Sequence, residues 1–343
     1  MTSLRIVHAV ASDRFAGVEQ FVLRLASAQA AQGHEVTVIG GAPERMSADL
    51  QAAGARPVAA VHTLDVLRAV RRTPADVVNS HMTAADGACA FALLGRRTAL
   101  VSTRHFASRR GRFGPLPLDA IIRRRVDAEI SISRAVASAV GVPSTVVHSG
   151  IPPAVGASRG DSRRILMVQR LQPEKHTGIG VQAFAASGLA ADGWRLDVVG
   201  EGPERDRVTA LIDDLGVGEA VRLLGFRDDV PHLLTEASLL LAPCPVEGLG
   251  LAVLEAMSHA VAPIAAGAAG HLDLLEGLDE RATFRPDDVA DAAAALRAFA
   301  DDATRRGALA RAARDRALTE FSLTQQAAGT EAVYRDAMSR RSG

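Results

Sequence analysis

The segment Pro245-Val246-Glu247-Gly248-Leu249-Gly250-Leu251-Ala252-Val253-Leu254-Glu255-Ala256-Met257 sets two carboxylates around a glycine turn. An apolar run over 237–242 predicts a buried strand before it, and Leu251 to His259 has helical character. A strand, a glycine turn and a helix N-terminus present backbone N–H groups to a phosphate or a sugar nucleotide. Glu247 falls in the loop and Glu255 about two turns into the helix, roughly 12 Å away if the whole span were helical. Neither glutamate has an obvious local ion-pair partner, so both are expected to be free for a ligand rich in hydroxyls.

A second constellation is Leu166-Met167-Val168-Gln169-Arg170-Leu171-Gln172-Pro173-Glu174-Lys175-His176, where a strand ends at Val168 and two cations follow. Arginine by its fork and lysine as a point charge can together neutralise a diphosphate. Lys175 is the only lysine among 39 Lys and Arg. Where arginine serves for every other cation, a surviving lysine marks a site that needs a compact charge. The competing reading is a solvated loop in which Glu174 pairs with Lys175.

Weaker signals surround these. Val198-Val199-Gly200-Glu201-Gly202-Pro203-Glu204 is again strand, glycine turn and helix, and Leu223-Leu224-Gly225-Phe226 ends another strand. Asp13-Arg14-Phe15-Ala16-Gly17-Val18-Glu19 follows the first strand, and His81 and His105 each follow an apolar strand. The histidines show no metal-binding spacing, so no protein-bound metal and no cofactor are expected. Residues 104–125 concentrate Arg104, Arg109, Arg110, Arg112, Arg123, Arg124 and Arg125 with Phe106, Phe113 and Leu116. The stretch reads either as a positive face for anionic lipid or a phosphorylated acceptor, or as a solvated loop and helix.

These residues need a scaffold. At 343 residues with 48% hydrophobic and 23% charged side chains, the chain has the composition of a globular protein of two domains. Formal net charge is zero, so no overall charge points to nucleic acid. No apolar run is long enough for a membrane span, and the N-terminus lacks a signal-peptide pattern. Cys89 and Cys244 sit in apolar surroundings and read as small buried hydrophobes, without a disulfide. A cytoplasmic location follows, with peripheral contact at the inner face of the cell membrane through 104–125.

Short apolar strands alternate with helices: strands at 4–10, 35–39, 76–79, 99–103, 128–132 and 145–147, with helices at 18–32 and 83–94. Residues 151–160 are rich in Pro, Gly and Ala and read as a linker. The alternation restarts with strands at 165–168, 195–199, 221–224, 239–242 and 262–265. Helices are expected at 177–186, 205–215, 230–235, 251–258, 289–300, 304–319 and 325–338. Such alternation predicts two α/β Rossmann-like domains with parallel sheets, facing across a ligand cleft. The domains are 1–153 and 154–321, followed by a last helix within 322–343.

The acidic segment, together with Arg170 and Lys175, resembles the motif of retaining glycosyltransferases of the two-domain GT-B fold, family 4 (glycosyl transferases group 1), over the whole chain. The resemblance implies a bacterial enzyme that moves a sugar from a nucleotide-sugar donor to a glycan, lipid-linked or small-molecule acceptor, as in cell-envelope polysaccharide synthesis. It implies that Glu255 holds the ribose, that Glu247 lies near the transferred sugar, and that Arg170 and Lys175 contact the diphosphate. Gly17, Gly200, Gly202, Phe226, Gly248, Leu249, Gly250 and Leu251 would line the donor. His105 would face the sugar, and Glu19, His81, Arg104 and Arg109 would lie on the acceptor side. In the family the final helix packs back on the first domain, and domain closure brings acceptor to donor.

The chain departs from the family pattern at Ala16, Ser149, Gln169, His176, Ala269 and Asp273. All but Ser149 and Asp273 stand where the family commonly has glycine. An epimerase or hydrolase on the same fold and a non-catalytic nucleotide-sugar-binding subunit are the alternatives. The missing Gly-x-Gly-x-x-Gly after the first strand argues against a dinucleotide dehydrogenase.

Overall fold

A computed structural model describes residues 2–108, 110, 112–113 and 116–342, without the side chains of 112–113, 116–118 and 342. The chain divides into two compact units, Met1–Gly150 with Leu323–Gly343, and Ile151–Ser322.

The first unit runs β1 (Arg5–Val10), α1 (Gly17–Ala31), β2 (Glu35–Gly40), α2 (Pro43–Ala52), β3 (Arg56–Val58), α3 (Thr63–Arg72), β4 (Val77–His81), α4 (Met82–Ala92) and β5 (Ala99–Arg104). It continues through a small hairpin, β6 (Arg112–Phe113) and β7 (Leu116–Pro117), then α5 (Leu118–Arg123), β8 (Ala128–Ser131), α6 (Arg134–Val140) and β9 (Thr145–Val146). Seven strands form one parallel sheet in the order β3-β2-β1-β4-β5-β8-β9.

The second unit contains β10 (Arg164–Val168), a 3₁₀ turn (Pro173–Lys175), α7 (Thr177–Ser187), β11 (Arg195–Val199), α8 (Arg205–Asp214), β12 (Val221–Gly225), α9 (Val230–Glu236) and β13 (Leu239–Ala242). Then come α10 (Leu251–Ser258), β14 (Ala262–Ala266), α11 (Gly270–Leu275), β15 (Thr283–Phe284), α12 (Val289–Ala300) and α13 (Ala303–Glu320). Its parallel sheet has the order β12-β11-β10-β13-β14-β15. Both sheets turn back on themselves beside their first strand, the doubly wound arrangement of a Rossmann-like unit. The last helix, α14 (Leu323–Ser342), belongs to the first unit and packs on α1, β5 and β8.

Strand composition follows from this burial. The β13 residues Leu239–Ala242 are buried throughout, and β1 has one exposed residue followed by five buried ones. Strands covered by helices on both faces need continuous apolar runs rather than alternation. In the second unit Phe184, Phe299, Trp194 and Leu296 fill the core between the sheet and α7 and α12.

Three expectations are corrected. Residues 43–72, left unassigned by pattern, hold α2, β3 and α3. The core face of α2 is only Met46 and Leu50, four residues apart, and β3 is a three-residue edge strand. So little apolar periodicity carries little signal in α2 and β3, whereas α3 does carry an amphipathic spacing in Val66, Leu67 and Val70, which the pattern reading passed over. Second, the segment read as a linker is tied to the second unit. Ile151 bridges to Ser322, the Ser158 N–H donates to the His259 carbonyl at 2.7 Å, and the Ser158 hydroxyl donates to the Ala237 carbonyl.

The third correction concerns Arg104, Arg110 and Arg125 of the arginine-rich stretch, which are buried rather than solvated. Arg110 is buried and donates to Asp86 at 2.6 Å, Glu129 at 2.8 Å and Ser102 at 2.8 Å. Arg104 pairs with Glu129 at 3.2 Å and Arg125 with Asp127 at 3.0 Å, and both are buried. A buried guanidinium must be paired, and while Asp127 is a local partner of Arg125, Asp86 of α4 and Glu129 of β8 lie 19 to 25 residues from the arginines they meet. Arg123 and Arg124 are exposed. Arg109 lies outside the described residues, as do the side chains of Arg112, Phe113 and Leu116. Among the described residues no helix is long and apolar enough to cross a membrane.

Candidate functional site

In the second unit, three strand-to-helix loops meet at the carboxyl ends of β10, β13 and β14. The β13–α10 loop ends at Gly250, whose φ of +97° starts α10 with its first N–H groups unpaired within the helix. The β14–α11 loop presses against it. A Cβ on Gly270 would lie 2.3 Å from Leu249 Cα, and the Gly270 N–H donates to the Glu247 carbonyl at 3.0 Å. Only glycine fits at 270, because the two backbones touch there. Glu247 is thus held by its own main chain.

Its side chain is held as well. The Lys175 ammonium forms an ion pair with the Glu247 carboxylate. This overturns both the expectation of a free Glu247 and the alternative of a Glu174–Lys175 pair. Glu174 instead takes Arg170 at 3.5 Å, with the Arg170 side chain 65% exposed. Lys175 and Glu247 are 72 residues apart, so no local pattern could show the pair. Burial alone would raise the Glu247 carboxyl, but the Lys175 ammonium overrides it and holds the carboxyl below its ordinary range. The Lys175 carbonyl is fixed in turn by Gln169 Nε2 at 3.0 Å, which also reaches Thr177 Oγ1 at 2.8 Å. Gln169, a departure from the family glycine, therefore braces the lysine loop.

His271, not singled out by motif, completes this corner. It is buried, and its Nδ1 lies 3.1 Å from the Ala266 carbonyl, which makes Nδ1 the donor and leaves Nε2 to accept. A Cβ on Gly250 would strike its ring. Burial lowers the His271 imidazole pKa, and the nearby Glu247 charge opposes that. Its signal in the sequence was only its place one residue after Gly270.

The remaining donor-side residues divide by what they offer. Leu249 is buried and Leu251 opens α10, so they and Gly248 contribute backbone. Glu255 lies in the second turn of α10, partly buried. Cβ atoms on Gly200 and Gly202 would lie 1.9 Å from the Gln169 carbonyl oxygen and 2.2 Å from that of Leu171. Those glycines let the β11–α8 loop close on the β10 loop. Glu201 Oε1 accepts from the Phe226 N–H at 3.4 Å, and the Phe226 ring is exposed.

Two departures from glycine keep glycine's backbone. Ala269 has φ +49° and His176 φ +52°. His176 also bonds Asp287 at 2.5 Å, so its side chain has a use. Ala269 has no polar side-chain atom to compensate. Replacing Ala269→Gly is expected to stabilise the second unit by about 1 kcal/mol, read as a raised urea midpoint with unchanged m-value. A lower midpoint would show that Ala269 is not strained. Ala16, by contrast, is extended with φ −139° and is not strained, and Gly17 opens α1.

In the first unit the sheet register aligns a row of polar side chains. His8 pairs with Asn79, and Val10 with His81, which pairs with Thr103. Alternation puts His8, Asn79, His81 and Thr103 on one sheet face, with His105 one residue beyond β5. His8 Nδ1 lies 3.1 Å from His81 Nε2, and His81 Nδ1 lies 3.0 Å from His105 Nε2. Phe21 of α1 packs edge-on against His105, 4.7 Å between centroids. His81 and His105, each read alone in the sequence, are therefore one row with His8, which the sequence reading missed.

His105 lines a pocket of about 290 Å³ with Met82, Thr83, Thr103, Arg104 and Phe106. Arg104, read as an acceptor contact, is already engaged with Glu129 and with the Ser108 carbonyl at 2.7 Å. Glu19 is buried and accepts from the Ala16 N–H at 3.0 Å, which fastens the start of α1. Both cysteines are buried and free. Among the described residues no group of three or more His, Cys, Asp and Glu converges as a metal cage. A larger hollow, about 680 Å³, opens beside Arg163, Arg164 and Arg195. It lies at the amino ends of β10 and β11, the end of a parallel sheet opposite to ligand-binding loops.

Residues 153–316 match the family model described as glycosyl transferases group 1, and residues 15–155 that described as glycosyltransferase family 4. The chain is 25% identical to the lipopolysaccharide core biosynthesis mannosyltransferase LpsB of Rhizobium meliloti, over 98% of this chain and 100% of that protein. It is 29% identical to an exopolysaccharide phosphotransferase of Streptomyces coelicolor over 72% of this chain, but spans only 27% of that longer protein. Among solved structures, Anabaena HepE in complex with UDP and glucose superposes with a TM-score of 0.81 at 18% identity, covering 96% of this chain and 99% of that one. The lipopolysaccharide outer core galactosyltransferase WaaB, in its apo form, superposes with a TM-score of 0.71 at 16% identity, covering 97% and 99%. At these identities the superpositions show a shared fold.

Proposed function

The chain belongs to the GT-B glycosyltransferase superfamily, and we propose that it transfers a sugar from a nucleotide-sugar donor to an acceptor hydroxyl with retention of configuration and without a protein-bound metal. The observation that carries this reading is the convergence of three strand-end loops of the second unit on Glu247, beside the open N-terminus of α10. Similarity to enzymes of lipopolysaccharide and exopolysaccharide synthesis favours a cell-envelope glycan or its lipid-linked precursor as acceptor.

In this reading the donor diphosphate lies at the start of α10, where N–H groups and the helix dipole favour negative charge. Lys175 shares its charge between Glu247 and the phosphate, and the exposed Arg170 fork closes from solvent. As the nucleotide diphosphate leaves, negative charge grows on its oxygens, and these cations stabilise it more than they stabilise the ground state. They do for the leaving group what a divalent cation would do. Glu255 takes the ribose hydroxyls, and Glu247 faces the transferred sugar. The acceptor attacks from the side that the diphosphate leaves, and its proton passes to the departing phosphate oxygen.

A thermal-shift screen of UDP-, GDP- and ADP-sugars, in buffer with EDTA, tests this directly. A ligand that binds only the native state adds about 2.7 kcal/mol at a hundred times its Kd, which raises Tm by several degrees. One nucleotide class is expected to do so with the chelator present. A shift that needs added divalent cation would remove the metal-independent mechanism, and no shift with any of the three would remove the donor assignment. Product analysis with the binding donor then separates transfer from release of free sugar or epimer.

A further inference from the structure

Helices α3, α4 and α5 lead into β4, β5 and β8, three neighbouring parallel strands of the first unit. The turns that follow these helices therefore share one rim, at the amino ends of the strands. Hydrogen bonds join the turns. Thr98 Oγ1 donates to the Ala75 carbonyl at 3.0 Å, and Arg125 donates to the carbonyls of Leu93 at 3.2 Å and Thr98 at 2.6 Å. Arg341, in the last turn of α14, donates to the Arg96 carbonyl at 3.0 Å and to Asp127 at 2.7 Å.

The free charge of this rim has one sign. Arg71 and Arg72 end α3, Arg96 and Arg97 follow α4, Arg123 ends α5 and Arg124 follows it. All six are exposed, and among the described residues none has an acid partner. The acids of the same turns are already engaged: Asp76 by Arg5, Asp119 by Arg110, and Asp127 by Arg125 and Arg341. A helix C-terminus favours a nearby cation, but that does not account for the apolar side chains on the same elements. Phe91 is 55% exposed and Leu94 59%, and Ile121 of α5, which packs on α4, is 38% exposed. Three apolar side chains among six cations are too few for the dry centre of a protein interface. They suit the headgroup layer of an anionic bilayer, where apolar groups reach the acyl boundary and guanidinium groups meet lipid phosphates.

We propose that this rim docks the first unit on an anionic bilayer, with Phe91, Leu94 and Ile121 entering the headgroup layer and the arginines on lipid phosphates. Segment 104–125 supplies only Ile121, Arg123 and Arg124 of the surface. The rest comes from the turns before β4 and β5. The His105 pocket lies past the carboxyl end of β5, a strand of six residues, so roughly 20 Å separate it from the rim and the bilayer does not cover it. The docking does not rest on the sugar-transfer reading.

Flotation of the full chain with lipid vesicles reads the docking directly. The native protein is expected to float with vesicles of mixed phosphatidylglycerol and phosphatidylcholine, and to stay behind with phosphatidylcholine alone. It should be released as salt rises toward about 1 M, where the screening length falls to about 3 Å. Each arginine near an anionic surface strengthens binding about fivefold. Arg96→Gln, Arg97→Gln, Arg123→Gln and Arg124→Gln together should therefore weaken it by about a hundredfold or more. The same change at Arg159, Arg163, Arg195 and Arg207 of the second unit should leave it within about twofold, as expected of charges outside the rim. Phe91→Trp should gain quenching by brominated acyl chains that the native chain lacks, because its one Trp, Trp194, is buried in the second unit. Equal binding to both vesicle types, equal loss from the two arginine sets, or an unquenched Phe91→Trp overturns the proposal. If the rim variant does not fold, the lipid preference and the quenching decide. Self-association without vesicle binding, abolished in the rim variant, would assign the surface to a second copy of the chain and overturn the docking.

Discussion

Lys175→Ala is expected to lower sugar transfer by about a thousandfold while the fold persists. Removing one group that meets developing negative charge in an enclosed site costs about two to three orders of magnitude in rate. Lys175 has a second task, because Glu247 depends on it. The pair is largely enclosed, with side-chain exposures of 14% and 25%. A carboxylate left there alone destabilises by about 1–3 kcal/mol. That is too little to unfold a unit whose core holds Phe184, Trp194 and Phe299. Pairing Lys175→Ala with Glu247→Gln isolates the stability task, because Glu247 has a role of its own at the transferred sugar. The double variant should regain the lost urea stability and stay inactive. If transfer returned with stability, the loss in Lys175→Ala came from the stranded carboxylate, and the diphosphate role would be wrong. Lys175→Arg is also expected to be poor, because a planar fork cannot replace a compact ammonium wedged against Glu247.

Acidification from pH 7 to pH 5 is expected to destabilise the first unit by about 5 kcal/mol, from His8, His81 and His105 together. Their folded pKa values lie below the unfolded value near 6.5, with His8 about 4 and His105 about 3. Between the two values the unfolded chain binds more protons than the fold. Stability therefore falls as pH drops below about 6.5, and levels off only beneath the folded values. Each buried neutral histidine contributes up to about 1.4 kcal/mol per pH unit in that window. The second unit has one histidine that burial lowers in this way, His271, and so should lose less. Hydrogen exchange, corrected for its intrinsic pH dependence, would show β1, β4 and β5 opening before β10 and β13. Equal losses in both units, or a flat response down to pH 5, would falsify the neutral histidine row.

Much of this fold was legible because parallel strands between helices are continuous apolar runs, and each such run of four or more residues found its place in a sheet. The elements that escaped, such as α2, β3 and β15, bury too few side chains to imprint a period. At the candidate site, residue types were legible but partnerships were not. Glu247 and Lys175 were each marked by their own motif, yet their ion pair joins residues 72 positions apart. The arginines of 104–125 show the opposite failure. A dense cluster of charge reads as surface, but Arg104, Arg110 and Arg125 are drawn inward by Asp86, Asp127 and Glu129.

What the sequence determined by itself was local: the alternation that makes two doubly wound sheets, the glycine turn that opens α10, and the lone lysine in a strand-end loop. Such features depend on the periodicity and backbone freedom of neighbouring residues. The tertiary structure alone decided which side chains meet. Sheet register brought His8, His81 and His105 into one row, and α1 and α14 set Gln29 and Tyr334 beside it. The contact of the Gly270 loop with Gly248–Leu249 turned Glu247 toward Lys175. Hydrogen bonds and ion pairs act over about 3 Å, and only folding brings residues this distant along the chain within that reach.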